Sequence, residues 1–393
     1  MTSLADTWGL HDAQFWLRGE RPERPVEYDA TTGVWNVYGY AETVELLSDH
    51  ATFSSDTGRL IPEAAGFTEG NLPQLDPPEH QKLRKLVSHA FTPKVVADLE
   101  PRIAEVTAEL LDGITDRTEL VDDLAYPLPV IVIAELLGVP TDDRHLFKRW
   151  VDAMFAQTQK FSLVDPSEEQ ARQFEDALEQ VGHLTAYLGE HVAERRRAPR
   201  EDLLSKLVTA EVDGERLTQA EVVNFAMVLL IAGHITTTML LGNTVLCLDA
   251  HPEQGAEVRA DRSLVPAAIE ESLRFLSPFA AASRATTREA VLGGQVIPAD
   301  QVVLPWLAAA NRDPAQFADP DTFDVHRHPN PQLGFGRGIH FCVGAPLARL
   351  EGRVALNMLF DRFPALRCDP DDRPEFLGSP NLTGVRRLPL LTR

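Results

Sequence analysis

Residues 333–347 read L-G-F-G-R-G-I-H-F-C-V-G-A-P-L. Cys342 stands at the centre and is one of only three cysteines. Gly334, Gly336 and Gly338 precede it, and Gly344 follows. Glycine lets the backbone turn sharply and approach a flat ligand closely. Ala345-Pro346 then opens a new apolar periodic run, and proline is favoured in a helix's first turn. Cys342 is therefore expected just ahead of a helix N-terminus, where unpaired N–H groups and the dipole favour an anion. That position lowers a thiol's pKa and favours thiolate. A thiolate framed by glycines suits the axial position of a planar metal cofactor.

The stretch fits F-G-x-G-x-H-x-C-x-G, with Phe335, Gly336, Gly338, His340, Cys342 and Gly344 in place. A dinucleotide loop fits less well, because the spacing is not G-x-G-x-x-G and no run of apolar β-branched residues leads into it. Zinc ligation by His340 and Cys342 lacks a second Cys/His pair at metal spacing. The stretch resembles the haem-binding loop of the cytochrome P450 family. The resemblance implies haem b with Cys342 as the iron ligand, and Phe335, Gly336, His340 and Gly344 around the cofactor. It also implies one haem-thiolate domain over residues 1–393, mainly α with a smaller β-sheet region (α+β), and a long central helix over the haem.

Composition narrows the setting. The chain has 393 residues, 44% of them hydrophobic, which supports a large core. Lys+Arg number 37 against 59 Asp+Glu, a net charge of −22 that argues against nucleic acid as a partner. Residues 1–16 lack a basic start followed by an apolar core, so no signal peptide or membrane anchor is read there. Cys247, Cys342 and Cys368 follow no disulfide framework, and the expected compartment is a reducing cytoplasm.

Residues 33–38 alternate as a strand, and 40–48 read as a short helix. Residues 54–74, rich in Gly, Pro and polar side chains, read as a long binding loop. Asp76-Pro-Pro-Glu79 predicts a helix start, with Asp76 as cap and Glu79 at the capping-box position. His80 and Arg84 follow at i,i+4 on one face. Further helices are expected over 98–111, 124–137, 143–155, 168–197 and 203–212, with a turn at Asp213-Gly214. Thr218-Gln-Ala-Glu221 is a capping box opening the longest element. From Val222 to Leu248 no residue is formally charged apart from a possible His234. Roughly thirty residues would span about 45 Å. Asn224, Gly233, His234, three threonines, Gly242 and Asn243 make a poor lipid-facing surface, so a buried helix is expected rather than a membrane span.

The middle of that helix, L-I-A-G-H-I-T-T-T over 230–238, is similar to the family's oxygen-activation segment. On that resemblance Ala232 and Gly233 let the helix approach the haem, and Thr236 can back-bond to the Ala232 carbonyl and help deliver protons. The acid that often precedes the threonine is Ile235 here. Protons are then expected through ordered water, Thr236, and His234 or a substrate hydroxyl. His80, Arg84, Arg284 and His340 are implied for the haem propionates, through charge-assisted bonds. Glu271 and Arg274 form the family's structural E-x-x-R pair. Residues 276–283 and the turn at 379–384 are expected at the substrate pocket, and the joint at 156–166 in a lid over it. Residues 291–298 and 301–305 read as paired strands. Thr322 stands where a basic residue is common. Arg349, Arg353, Arg337, Lys82 and Lys85 suggest a basic patch for an acidic ferredoxin.

The implied reaction is insertion of one oxygen atom from dioxygen into a bulky secondary metabolite, by hydroxylation or epoxidation. Ferredoxin and a ferredoxin reductase using NAD(P)H are the implied electron source, since no fused flavin or ferredoxin motif is visible. The whole-chain texture is similar to actinobacterial tailoring enzymes of the erythromycin-type macrolide hydroxylase kind. A cyclic or carrier-bound peptide substrate is the alternative. So is a haem protein that binds substrate without turnover.

Overall fold

The computed structural model describes residues 4–60, 69–155, 161–212 and 214–393. Its spine is the 32-residue helix Gln219–Ala250. Thr218 Oγ1 accepts from the Glu221 N–H at 3.0 Å, and the Glu221 carboxylate accepts from the Thr218 N–H at 2.7 Å, closing the capping box. The residues between are apolar nearly all round, so neighbours must cover the helix on several sides. Helices Pro127–Leu137, Glu168–Arg197, Val265–Phe275 and Ala345–Arg362 do so. The most apolar stretch of the spine is 72% buried inside the protein. Although long and apolar enough to cross a bilayer, it is packed as a core helix. One cluster of buried side chains runs through this helical body, from Leu83 and Ile103 to Leu230, Ile269 and Leu356.

The β region is smaller and peripheral. Its five-stranded sheet has the order Val26–Asp29, Val34–Val37, Val302–Pro305, Arg284–Thr286, Phe53–Ser54. Val34–Val37 and Val302–Pro305 run parallel, with Val303 opposite Trp35; the other pairings are antiparallel. The sheet has its own core of Val26, Val37, Phe53, Val303 and the helix residues Leu46 and Leu47. The architecture is the mainly α, smaller-β arrangement that the cysteine loop implies.

Several local expectations change. Residues 290–297 form a hairpin by themselves, turning at Gly293-Gly294, while Val302–Pro305 joins the large sheet. The helix expected to 212 stops at Thr209, and Glu211–Val212 pairs with Glu215–Arg216 as a two-stranded ribbon. Of the turn expected there, Asp213 lies outside the described residues. The helix carrying His80 is Glu79–Ala90, with no side-chain cap. Asp76 instead accepts from the Ser54 hydroxyl and the Ser55 N–H, fastening the helix entry to the sheet edge. Parts of the binding loop and the lid joint, 61–68 and 156–160, lie outside the described residues.

Candidate active site

The cysteine loop is folded by its backbone. The Cys342 N–H donates to the Phe335 carbonyl at 2.9 Å, and the Gly336 N–H to Leu333 at 2.8 Å. Gly336 and Gly338 take φ of 69° and 71°, a left-handed region that favours glycine. A Cβ at Gly338 would also run into the Leu47 carbonyl oxygen. Gly344, at φ −82°, needs no such freedom; it is the N-cap of Ala345–Arg362. The Phe335 ring lies under the Arg349 guanidinium, 4.5 Å from its centroid.

The thiol of Cys342 departs from expectation. Burial raises its pKa, while the N–H groups of Gly344 and Ala345 and the charges of Arg84 and Arg349 lower it. The net direction is upward. The helix terminus acts as the sequence suggests, but desolvation of the anion outweighs it.

Four basic side chains gather beside this sulfur. His80 and Arg84 share one face of Glu79–Ala90. The His80 ring meets His340 edge-on at 4.4 Å, and His340 Nε2 lies 2.8 Å from Ser55 Oγ. Burial, with Arg284, His80 and Arg84 nearby, holds His340 at about 3. His80 is also lowered, first by burial and then by Arg84. Burial brings Arg284 down to about 10. His80 is 2% exposed, yet neither ring nitrogen has a hydrogen-bond partner among the described residues. Among the described residues, no carboxylate lies within ion-pair distance of Arg84 or Arg284. Buried polar groups ordinarily find partners. A clustered, unneutralised set of donors beside a thiol fits a flat metal-bearing group with carboxylate arms.

The central helix presents different chemistry on each face at its middle turn. Ala232 is exposed and Thr236 is half-buried between the buried Ile235 and Thr237. With Val228 and Ile231 they make an open stripe at helical spacing. Thr236 Oγ1 donates to the Ala232 carbonyl at 3.0 Å. Gly233 does not face this opening: a Cβ there would meet Ile133 Cγ1 at 2.8 Å, so its smallness serves packing on Pro127–Leu137. His234 also turns away, edge-on to Tyr126 at 5.8 Å and with Nδ1 2.7 Å from the Leu230 carbonyl oxygen. Burial depresses it to about 4, which leaves a neutral core histidine and no proton carrier for the opening. Ile235 packs with Val151, Met239 and Leu382, next to Phe155, Phe279 and Ile231.

Glu271 and Arg274 are 1% and 0% exposed. Two hydrogen bonds of 2.8 and 2.7 Å join them. Arg274 also donates to the carbonyls of Asn311, Pro320 and Thr322. Sequence reasoning missed the rest of this knot. Arg327 Nε donates to Glu271 at 3.2 Å and Asn330 Nδ2 at 3.1 Å. The basic support absent at Thr322 is thus supplied five residues later. Glu351 was missed as well. It is 1% exposed, neither carboxyl oxygen makes a full hydrogen bond among the described residues, and burial raises it to about 8, with the nearby Thr237 hydroxyl opposing this only weakly.

The basic patch is largely neutralised within the chain. Arg349 pairs with Glu270 at 2.6 Å, Arg353 with Glu100 at 2.8 Å and Lys82 with Glu221 at 3.7 Å. Arg337 and Lys85 have no acidic partner among the described residues.

The chain matches the cytochrome P450 family over residues 9–390. It is 45% identical over 397 residues to the erythromycin C-12 hydroxylase of Saccharopolyspora erythraea, covering 100% of this chain and 98% of that one. It is 45% identical over 384 residues to the cyclomarin C epoxidase CymV of Salinispora arenicola, covering 96% and 95%. Among solved structures, the hydroxylase HmtN of himastatin biosynthesis superposes with a TM-score of 0.88 at 55% identity, over 100% of both chains. The glycine-framed thiol, the spine with its open stripe and this full-length likeness lead to one conclusion: the chain belongs to the cytochrome P450 family and is a monooxygenase of that family.

Proposed function

We propose that the chain holds haem b between Cys342 and the open stripe of the central helix, and oxidises a bulky natural product, foremost a macrolide or other polyketide. The observation that carries this is the group His80, Arg84, Arg284 and His340, the first and third buried and the other two half-buried, gathered beside the thiol with no ion-paired carboxylate among the described residues. These four side chains would hold the two carboxylates of haem, and Cys342, as thiolate, would ligate its iron. When bound, it supplies dioxygen activation, which thiolate ligation favours. Ala232 leaves room on the opposite side. Thr236 holds a hydroxyl there and moves protons with ordered water. Ile235, Phe279 and Leu382 form the apolar wall that orients substrate and excludes water.

Electrons come from ferredoxin and a ferredoxin reductase using NAD(P)H, in the cytoplasm. A mostly apolar cleft of about 500 Å³, lined by Pro93, Pro266, Pro346 and Leu350 and by the Arg349–Glu270 and Arg353–Glu100 pairs, offers a docking place on the side of the cysteine helix. The second reading is a cyclic or carrier-bound peptide substrate. The 45% identity to the cyclomarin C epoxidase, equal to that to the erythromycin hydroxylase, supports it.

The test begins with the reduced, CO-bound spectrum, where a thiolate-type Soret band is expected. A histidine-type band would remove Cys342 from its role. Spin-state titrations with macrolides and with cyclic peptides, followed by ferredoxin-driven turnover, then separate the two substrate classes.

A further inference from the structure

Gln14 is completely buried, and its side chain is spent on one turn at the far end of the chain. Its Nε2 lies 3.2, 3.2 and 3.0 Å from the carbonyl oxygens of Ser379, Pro380 and Leu382. Its Oε1 accepts from Thr383 Oγ1 at 2.7 Å. The same turn is held from the opposite side. Asn243, on the central helix, donates to the carbonyls of Thr383 at 2.8 Å and Leu276 at 3.0 Å. The Thr383 N–H donates to Pro278 and the Ala280 N–H to Asn381, at 2.9 and 2.8 Å. Phe279 and Leu382 thereby form a bridge. A Cβ at Gly384 would collide with Met239, so the turn lies directly on the central helix, one turn beyond Ile235.

The turn therefore hangs between two amides, and its Leu382 packs in one apolar wall with Phe279, Ile235 and Ile231, the last of these on the open stripe. We propose that Gln14 is a remote positioning residue for substrate specificity, setting how far the Leu382 wall stands into the cavity. This rests on the haem-pocket reading above. A buried amide that saturates several carbonyls fixes backbone position more tightly than apolar packing alone, because each unmade bond leaves a desolvated acceptor. An N-terminal residue that touches no substrate thus controls the wall that does.

The experiment uses two iron-ligating azoles, imidazole and 4-phenylimidazole, titrated optically into the haem-loaded full-length protein. Imidazole carries nothing beyond its ring, whereas 4-phenylimidazole extends a phenyl group that the haem-pocket reading directs toward the wall. For Gln14→Ala we expect 4-phenylimidazole to bind about fivefold more weakly, as one lost set of apolar contacts would give. Imidazole affinity and the reduced-CO band should stay unchanged. Thr383→Val removes only the Oε1 contact and should give a smaller shift of the same selectivity, which keeps the test decisive where Gln14→Ala fails to fold. Equal changes for both azoles, or none for either, in the folded variants would overturn the proposal. A wild-type protein without the thiolate band would instead overturn the haem-pocket reading and this inference with it.

Discussion

Glu351→Gln offers a quantitative test of the packing between the cysteine helix and the spine. Glu351 is buried with no charged partner among the described residues, only the Thr237 hydroxyl nearby, and its pKa rises from 4.5 to about 8. Between those values the folded protein keeps a proton that the unfolded chain releases. Its stabilising effect is complete below about 4.5 and is lost as pH rises through 8, so folding stability falls with pH. Integrating the two titrations gives a loss of about 2.5 kcal/mol between roughly pH 5.5 and pH 7.5. Glutamine has the same shape and no titration. Its extra N–H₂ imposes an offset that does not vary with pH, and all other ionisations are common to both proteins. The stability difference, Gln over Glu, should therefore grow by about 2.5 kcal/mol across that interval. Urea unfolding of both proteins at equal haem loading, followed at several pH values, measures it. A difference that stays flat with pH would mean that Glu351 is ionised or solvated in the folded state, and would refute the reasoning.

Three further outcomes follow from the site. Thr236→Ala should leave the reduced-CO band intact and lower product formed per NAD(P)H severalfold; unchanged yield would remove the hydroxyl from proton handling. Arg327→Ala strips one cation from the buried Glu271, and should destabilise by about 3 kcal/mol, read as a lower urea midpoint. A midpoint equal to wild type would show that Arg274 and Asn330 suffice. Gly338→Ala combines a positive φ with a clash against Leu47, and should cost about 2 kcal/mol and reduce retained haem on gel filtration. Full haem retention would show that the loop can relax.

What could be read beforehand was what neighbouring residues decide. The capping box at Thr218, the helices 40–48 and 168–197, and the glycine-framed cysteine all depend on spacings of a few residues. What escaped depends on which distant surfaces meet. Arg327 lies 56 residues from Glu271 in sequence, and nothing around it marks it as a buried partner. Val302–Pro305 is a short apolar run that reads as a strand, yet nothing local marks its parallel neighbour as Val34–Val37. Gly233 sits in the right motif, but its direction is fixed by Ile133 on another helix. Arg349 and Arg353 looked free because Glu270 and Glu100 are remote in sequence. The thiol pKa went the wrong way for the same reason: a local dipole is visible in sequence, while burial is a property of the whole fold.

That distinction also bears on Ile235. Read along the chain, it is a missing acid. In the fold, position 235 does not share the stripe of Ala232 and Thr236; it is 9% exposed and enclosed by Val151, Met239 and Leu382. A carboxylate at that position would be desolvated among the apolar side chains of this cluster, with no cation among the described residues packed there. Isoleucine is what this wall requires, and a proton relay through position 235 would need a different wall. Ile235→Asp should consequently not restore an acid–alcohol pair. It should destabilise by about 3 kcal/mol through an unpaired buried polar group. It should also weaken 4-phenylimidazole binding as the wall loosens, and leave product per NAD(P)H no higher than wild type. A rise in that ratio would show that the aspartate reaches Thr236, and that the proton path follows sequence position after all.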